Sequence, residues 1–229
     1  MADVVGRLLN FAVSRIGRTL GIWDRLLLRE PLPEAGWVTL SGSQAHCVRK
    51  LDGVDGVRIW RFTDGDAVGI YFFPLVPDLP HARSQCEFAT MYAEMVFAAG
   101  AKIVESELVN LAGVRALRTI IRSRQSPSGM TYVGSVTIPL ANCSYVLKVQ
   151  CEEHGITGLR ETFLLDKKLR EGGTVEAALE EIGRSADAPE HDALFPDHPL
   201  ARARKHLGFI ASALHVDPRL LSVTPFGLP

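Results

Sequence analysis

The side chains best suited to chemistry fall in three stretches of this 229-residue chain. Cys143, Cys151 and His154, with Glu152 and Glu153 beside them, offer the sulfur, imidazole and carboxylate ligands that a zinc site uses. Their spacing fits no standard zinc pattern, and Cys151 falls on the apolar side of its run, where a free thiol acts as a small hydrophobe. His191, Asp192, Asp197, His198, His206 and His215 form the second group, of the kind a hydrolase or a metal enzyme draws on. Nothing in the spacing makes them converge: His206 and His215 are too far apart to share a helical turn, and His198 beside Pro199 suits a helix start. The third group is Arg118, Arg122 and Arg124 on one face of a strand, with Arg115 nearby. They would grip a carboxylate or phosphate, or pair with Glu105 and Glu107 on a neighbouring strand, which is the commoner outcome.

No Gly-x-Ser-x-Gly elbow and no phosphate-cradling glycine loop with its lysine is present. The reading therefore assigns no catalytic residue, no metal site and no cofactor, and leans away from an enzyme. A formal net charge of −1 gives no bulk attraction for nucleic acid, so no nucleic-acid partner is expected. Four scattered cysteines show no disulfide framework, and 47% hydrophobic residues are ample for a core without staples. No apolar run approaches the ~20 residues needed to span a bilayer, and no convincing signal peptide leads the chain. A cytoplasmic protein is expected.

The elements that would position these groups follow from periodicity. Residues 4–28 place Val5, Leu8, Leu9, Ala12, Val13, Ile16, Leu20, Trp23 and Leu27 at helical spacing, with Arg7, Arg15, Arg18 and Arg25 largely between them. This amphipathic helix either covers its own domain, the favoured reading, or rests on a membrane surface or partner. Pro31 and Pro33 end it. Short strands are expected at Trp37 to Leu40, Val57 to Phe62 and Val68 to Phe73, with Asp-Gly pairs as turns. Ser84 and Glu87 have capping-box spacing before a helix carrying Phe88, Tyr92, Met95, Val96 and Ala99, which Gly100 stops.

Ile103 to Val109 reads as a strand. Leu117 to Arg122, Thr131 to Ile138 and Ser144 to Cys151 then alternate apolar with polar residues, the mark of antiparallel strands with one apolar and one polar face. Helices are expected at Leu159 to Arg170, after Thr174, and from Pro199 through Leu200, Ala203, Leu207, Ile210, Ala211 and Leu214. Val216 to Pro229, with three prolines, should be extended and ordered by lying on the body.

This order of elements resembles the PsbP-like superfamily, which includes the Ran-release factor Mog, DcrB-type proteins and the effector-associated chaperones of type VI secretion. The residues that carry the resemblance are Val68-Gly69-Ile70-Tyr71, Val109-Asn110-Leu111-Ala112-Gly113-Val114-Arg115-Ala116, and the Met130 to Ile138 and Tyr145 to Cys151 pair, within about residues 37–172. The helical N-terminal segment and everything after Gly173 depart from it. The resemblance implies an antiparallel sheet flanked by helices and a non-catalytic role: an adaptor or chaperone, linked to a bacterial secretion or effector system, that binds another protein and shelters an apolar or amphipathic helix.

The expectation is thus an α+β chain built on a twisted antiparallel β-sheet flanked by α-helices, with helical N- and C-terminal extensions. Residues 1–33 form the first extension, 34–173 the sheet domain and 174–229 the second. A concave sheet face bearing Trp60, Tyr71 and Phe73 would bury a partner's apolar groups, while Arg118, Arg122 and Arg124 orient its charges. The other readings are a hydrolase or metal enzyme using the C-terminal histidines and a membrane-surface protein held through residues 4–28.

Overall fold

The computed structural model describes residues 33–41, 45–49 (backbone only), 56–62, 66–126, 128–155 and 157–229. The helix expected over 4–28, and most of the Asp-Gly turns, lie outside these residues. The chain is α+β. Seven antiparallel strands form the main sheet: β2 (Ala45–Arg49), β3 (Val57–Phe62), β4 (Ala67–Phe73), β5 (Ala101–Leu111), β6 (Val114–Arg124), β7 (Met130–Pro139) and β8 (Ser144–Glu152), in the order β2-β3-β4-β8-β7-β6-β5. The helices are α1 (Gln85–Ala98), α2 (Leu159–Arg170), α3 (Val175–Ser185) and α4 (Pro199–Ala213).

The first strand, β1 (Val38–Leu40), joins no neighbour in sequence. It pairs with β9 (Leu214–Val216) in a separate two-stranded sheet, so the two ends of the described chain are stitched together. The tail after β9 is not wholly extended: Pro218–Ser222 makes a short 3-10 helix before Pro225 bridges Leu140.

Caps follow the residue types. Ser84 Oγ accepts from Glu87 N at 3.2 Å, while Glu87 reaches back to Arg83 N, one residue earlier than in the standard box. Thr174 caps α3, and His198 Nδ1 accepts from Leu200 N to start α4 ahead of Pro199.

Helix α4 seals one face of the sheet. Leu200, Ala203, Leu207 and Ile210 recur at helical spacing and are buried in a core with Tyr132, Val136, Ile138, Tyr145, Leu147 and Val149. Ala211, expected in that stripe, faces solvent. Gly134 in the middle of β7 permits the close approach, since a Cβ there would meet Leu207 Cγ and Val149 Cγ1 at 3.1 Å. The segment read as a C-terminal extension thus contributes a helix to the main core.

The expected division into an apolar and a polar face does not hold. Leu117 pairs with Thr137 and Arg118 with Val136, so Arg118, Ile120 and Arg122 share the α4 face with Val136 while Leu117 and Thr119 line the other. Both faces carry buried apolar residues. Arg118 and Arg122 therefore lie at the margin of the α4-covered face, and Arg124 beyond them is exposed.

Two outcomes follow. Leu207→Ala should cost about 2–5 kcal/mol, as cavities under well-packed leucines do; an unchanged denaturant midpoint would show that α4 does not seat on the sheet. Burial, reinforced by Arg160, also lowers His198 to about 4. The unfolded chain takes up this proton near pH 6.5, so stability falls as pH drops from 6.5 towards 4. His198→Asn keeps a capping acceptor and should flatten that part of the denaturation-midpoint profile.

Candidate functional site

The residues expected to bind a partner do not share one surface. Trp60 is 7% exposed in the core beneath α4, with Arg58 above its ring. Tyr71 and Phe73, half-buried and stacked at 6.3 Å, point to the opposite face, because Trp60 pairs with Val68 and odd steps along a strand change sides. Arg118 pairs with Glu105 and Glu107, and Arg122 with Asp187 at 2.9 Å. Arg124 is exposed and forms no ion pair among the described residues.

The chemistry-bearing clusters resolve likewise. Cys143 and Cys151 flank opposite ends of β8, and His154 is exposed beyond it. Glu153 is buried and accepts from Met130 N and Gly158 N. Among the histidines, His198 caps α4, His215 is exposed on β9, His191 lies in a 3-10 turn (Pro189–His191), and His206 is 2% exposed.

A different trio does converge. Asp66, Cys151 and His206 bring one ligand atom each within 4.8 Å of one another, and are the one such group among the described residues. Asp66 Oδ2 takes His206 Nε2 at 2.9 Å and Cys151 Sγ at 3.5 Å, and Arg202 Nε lies 3.4 Å away. Phe62 stacks on the His206 ring at 4.1 Å. The guanidinium already balances the carboxylate and would stand beside any cation placed there. The arrangement suits a buried polar knot tying β4 and β8 to α4, with the thiol shut away from solvent.

The open site is on the other face. A groove of about 190 Å³ runs between α1 and the sheet. Its floor is Ile121, Val133, Ser135, Thr137, Val146 and Lys148; one wall is Tyr92, Met95, Val96 and Ala99 of α1, and the other is the Leu75-to-Leu79 loop. Pro74, Pro77 and Pro80 lack the backbone N–H a strand or helix interior needs, and the segment between β4 and α1 forms neither. Leu75 and Val76 on its lip are exposed. Helix α1 buries Phe88 and Val96, and beside Glu87, Thr90 and Glu94 its outer side also carries Met91 and Phe97, Phe97 at 80% exposure. A large apolar side chain as exposed as Phe97 extends the apolar surface beyond the groove itself.

Lys148 is the one cation on the floor. It sits opposite Ser135 on β7 and Gly69 on β4, and no acid lies within ion-pair distance among the described residues. Burial lowers its pKa to about 8. The sequence reading missed Lys148 and the groove. The signals that point to them are Met91 and Phe97 on α1, off its buried stripe, and the Leu75-Val76 pair in a proline-rich loop.

The chain matches no protein-family model and no curated relative. Among solved structures it is similar to the Ran-binding protein Mog1p of Saccharomyces cerevisiae, with a TM-score of 0.43 and 10% identity over 82% of this chain and 94% of that one. It is also similar to PA94 of Pseudomonas aeruginosa, a protein of unknown function, with a TM-score of 0.31 and 12% identity over 47% of this chain and 83% of that one. No helix among the described residues is long and apolar enough to cross a membrane.

The charge on Lys148 is a cost to the empty fold, since the folded state releases that proton near pH 8 and the unfolded chain near 10.5. Stability from this group therefore rises between pH 8 and 10.5. Lys148→Met should raise the denaturant midpoint at pH 7, and the gain should shrink at pH 10. A lower midpoint at pH 7 would mean that the ammonium is satisfied.

Proposed function

We propose that this chain is a non-catalytic binding module that docks a segment of another polypeptide in the cleft between α1 and the sheet. The observation that carries this reading is the open groove itself, an apolar channel rimmed by exposed Leu75 and Val76 and walled by a helix with apolar residues left facing outward. Exposed apolar surface gathered around a concavity marks a binding site more often than scattered single residues do. The strands supply a rigid floor, and Tyr71 and Phe73 extend the apolar surface beside it. Trp60 is buried in the core under α4, while Arg118 and Arg122 at its margin are taken up by Glu105, Glu107 and Asp187. An adaptor or chaperone that shelters an apolar segment is the role that fits.

The test is a cross-linked pull-down from the source organism, comparing the wild-type chain with Val76→Asp. Val76 is 55% exposed, so the substitution should leave the melting temperature unchanged. One stoichiometric polypeptide retained by the wild type and reduced tenfold or more by the variant is the expected result. Equal recovery by both, or none by either, would contradict the reading.

A further inference from the structure

The cleft on this face has two halves, and the chain's own tail fills one. Phe226 and Leu228 are buried against Phe88 of α1 and Leu117 of β6, and Phe226 stacks on His81 at 4.7 Å. Main-chain bonds hold this extended segment: Ala141 N donates to Thr224 O and Phe226 N to Pro139 O. Leu79 and Tyr92 pack on the tail cluster and also line the open groove, so the two halves adjoin. The filled half shows what the cleft takes, an extended strand with apolar side chains directed between helix and sheet.

The open half differs in one respect, the unpaired ammonium of Lys148 on its floor. The ring of Tyr71 lies over the neighbouring Gly69, where a Cβ would meet it at 2.7 Å, and adds to the desolvation around that position. Asp78, the acid of the opposite lip, makes no ion pair with Lys148. A half-buried cation without a partner is destabilised by partial desolvation, and an incoming carboxylate offsets that cost while forming charge-assisted hydrogen bonds. At about 190 Å³ the groove has room for one or two side chains of a docked segment, and the tail in the adjoining half shows such side chains presented by an extended strand.

We infer that the partner segment is extended, places an apolar side chain between Met95 and Val146, and delivers an aspartate, glutamate or C-terminal carboxylate to Lys148. This rests on the docking role proposed above and specifies its ligand chemistry. The carboxylate sets the register of the segment, and the apolar contacts supply most of the adhesion.

A random dodecapeptide phage library selected on the immobilised full chain tests it. The wild type should enrich acids at a fixed distance from Phe, Leu or Met. Lys148→Met should keep the apolar positions and lose the acid, and Lys148→Arg should retain both. Changing the acid of a synthetic wild-type-consensus peptide to the amide should cost tenfold or more in affinity on the wild type and nothing on Lys148→Met. An apolar consensus without an acid on the wild type overturns the role of Lys148 and leaves the docking role standing. No consensus at all, or one unaffected by Val76→Asp, overturns both.

Discussion

Antiparallel strands send alternate side chains to opposite faces, so a sheet that is apolar on both sides needs two covers. In this chain α4, seated on β7 and β8, supplies one of them together with Trp37, the β1–β9 pair and Leu220 and Val223. Leu207 settles over Gly134 where a larger residue would hold the helix away, and Leu200, Ala203 and Ile210 close the seam on either side. The second face receives α1 and the tail, which together do not reach across it. The groove is the part of that face left between α1, the Leu75-to-Leu79 loop and the tail.

The charged residues act mostly in that closure. Arg160, 1% exposed, donates to Ala186 O, Ala188 O and Asp192, and Arg204 joins the same Asp192 to Glu105 on the edge strand β5. Arg122 reaches Asp187 from β6. These contacts bind the connector between α3 and α4 to the sheet, and removing one partner would strand a buried charge. Clusters that in sequence suggest ligand binding or catalysis are thereby used in holding the fold together. Lys148 lies outside this network, the reason it stands out as a functional group.

Much of the architecture is legible from periodicity and caps. The helix Leu159–Arg170, the Ser84 and Thr174 caps, and the strands from Val57 to Cys151 follow from local patterns, as does the histidine start of α4. What is not legible depends on register and on distant pairs. The union of β1 with β9 joins Val38 to Val216, and His206 meets Asp66 across 140 residues; no window of sequence contains either. Register decides that Arg118 lies beside Val136 instead of Leu117, and a one-residue slip would exchange the faces. The site went unseen for the same reason: Lys148, Val146, Met95 and Val76 come from three separate elements, and only packing places them around one cavity.

The account's central claim is that one face of β8 is sealed by α4 while the other is open to a partner. Val146→Cys and Leu147→Cys, introduced singly and treated with a thiol reagent under native conditions, test it with the labelled peptide mapped by mass spectrometry. The account predicts rapid labelling at position 146, blocked when the partner is bound, and labelling at 147 only on global unfolding. Equal protection at both positions, or labelling at 146 that the partner leaves unchanged, would contradict it.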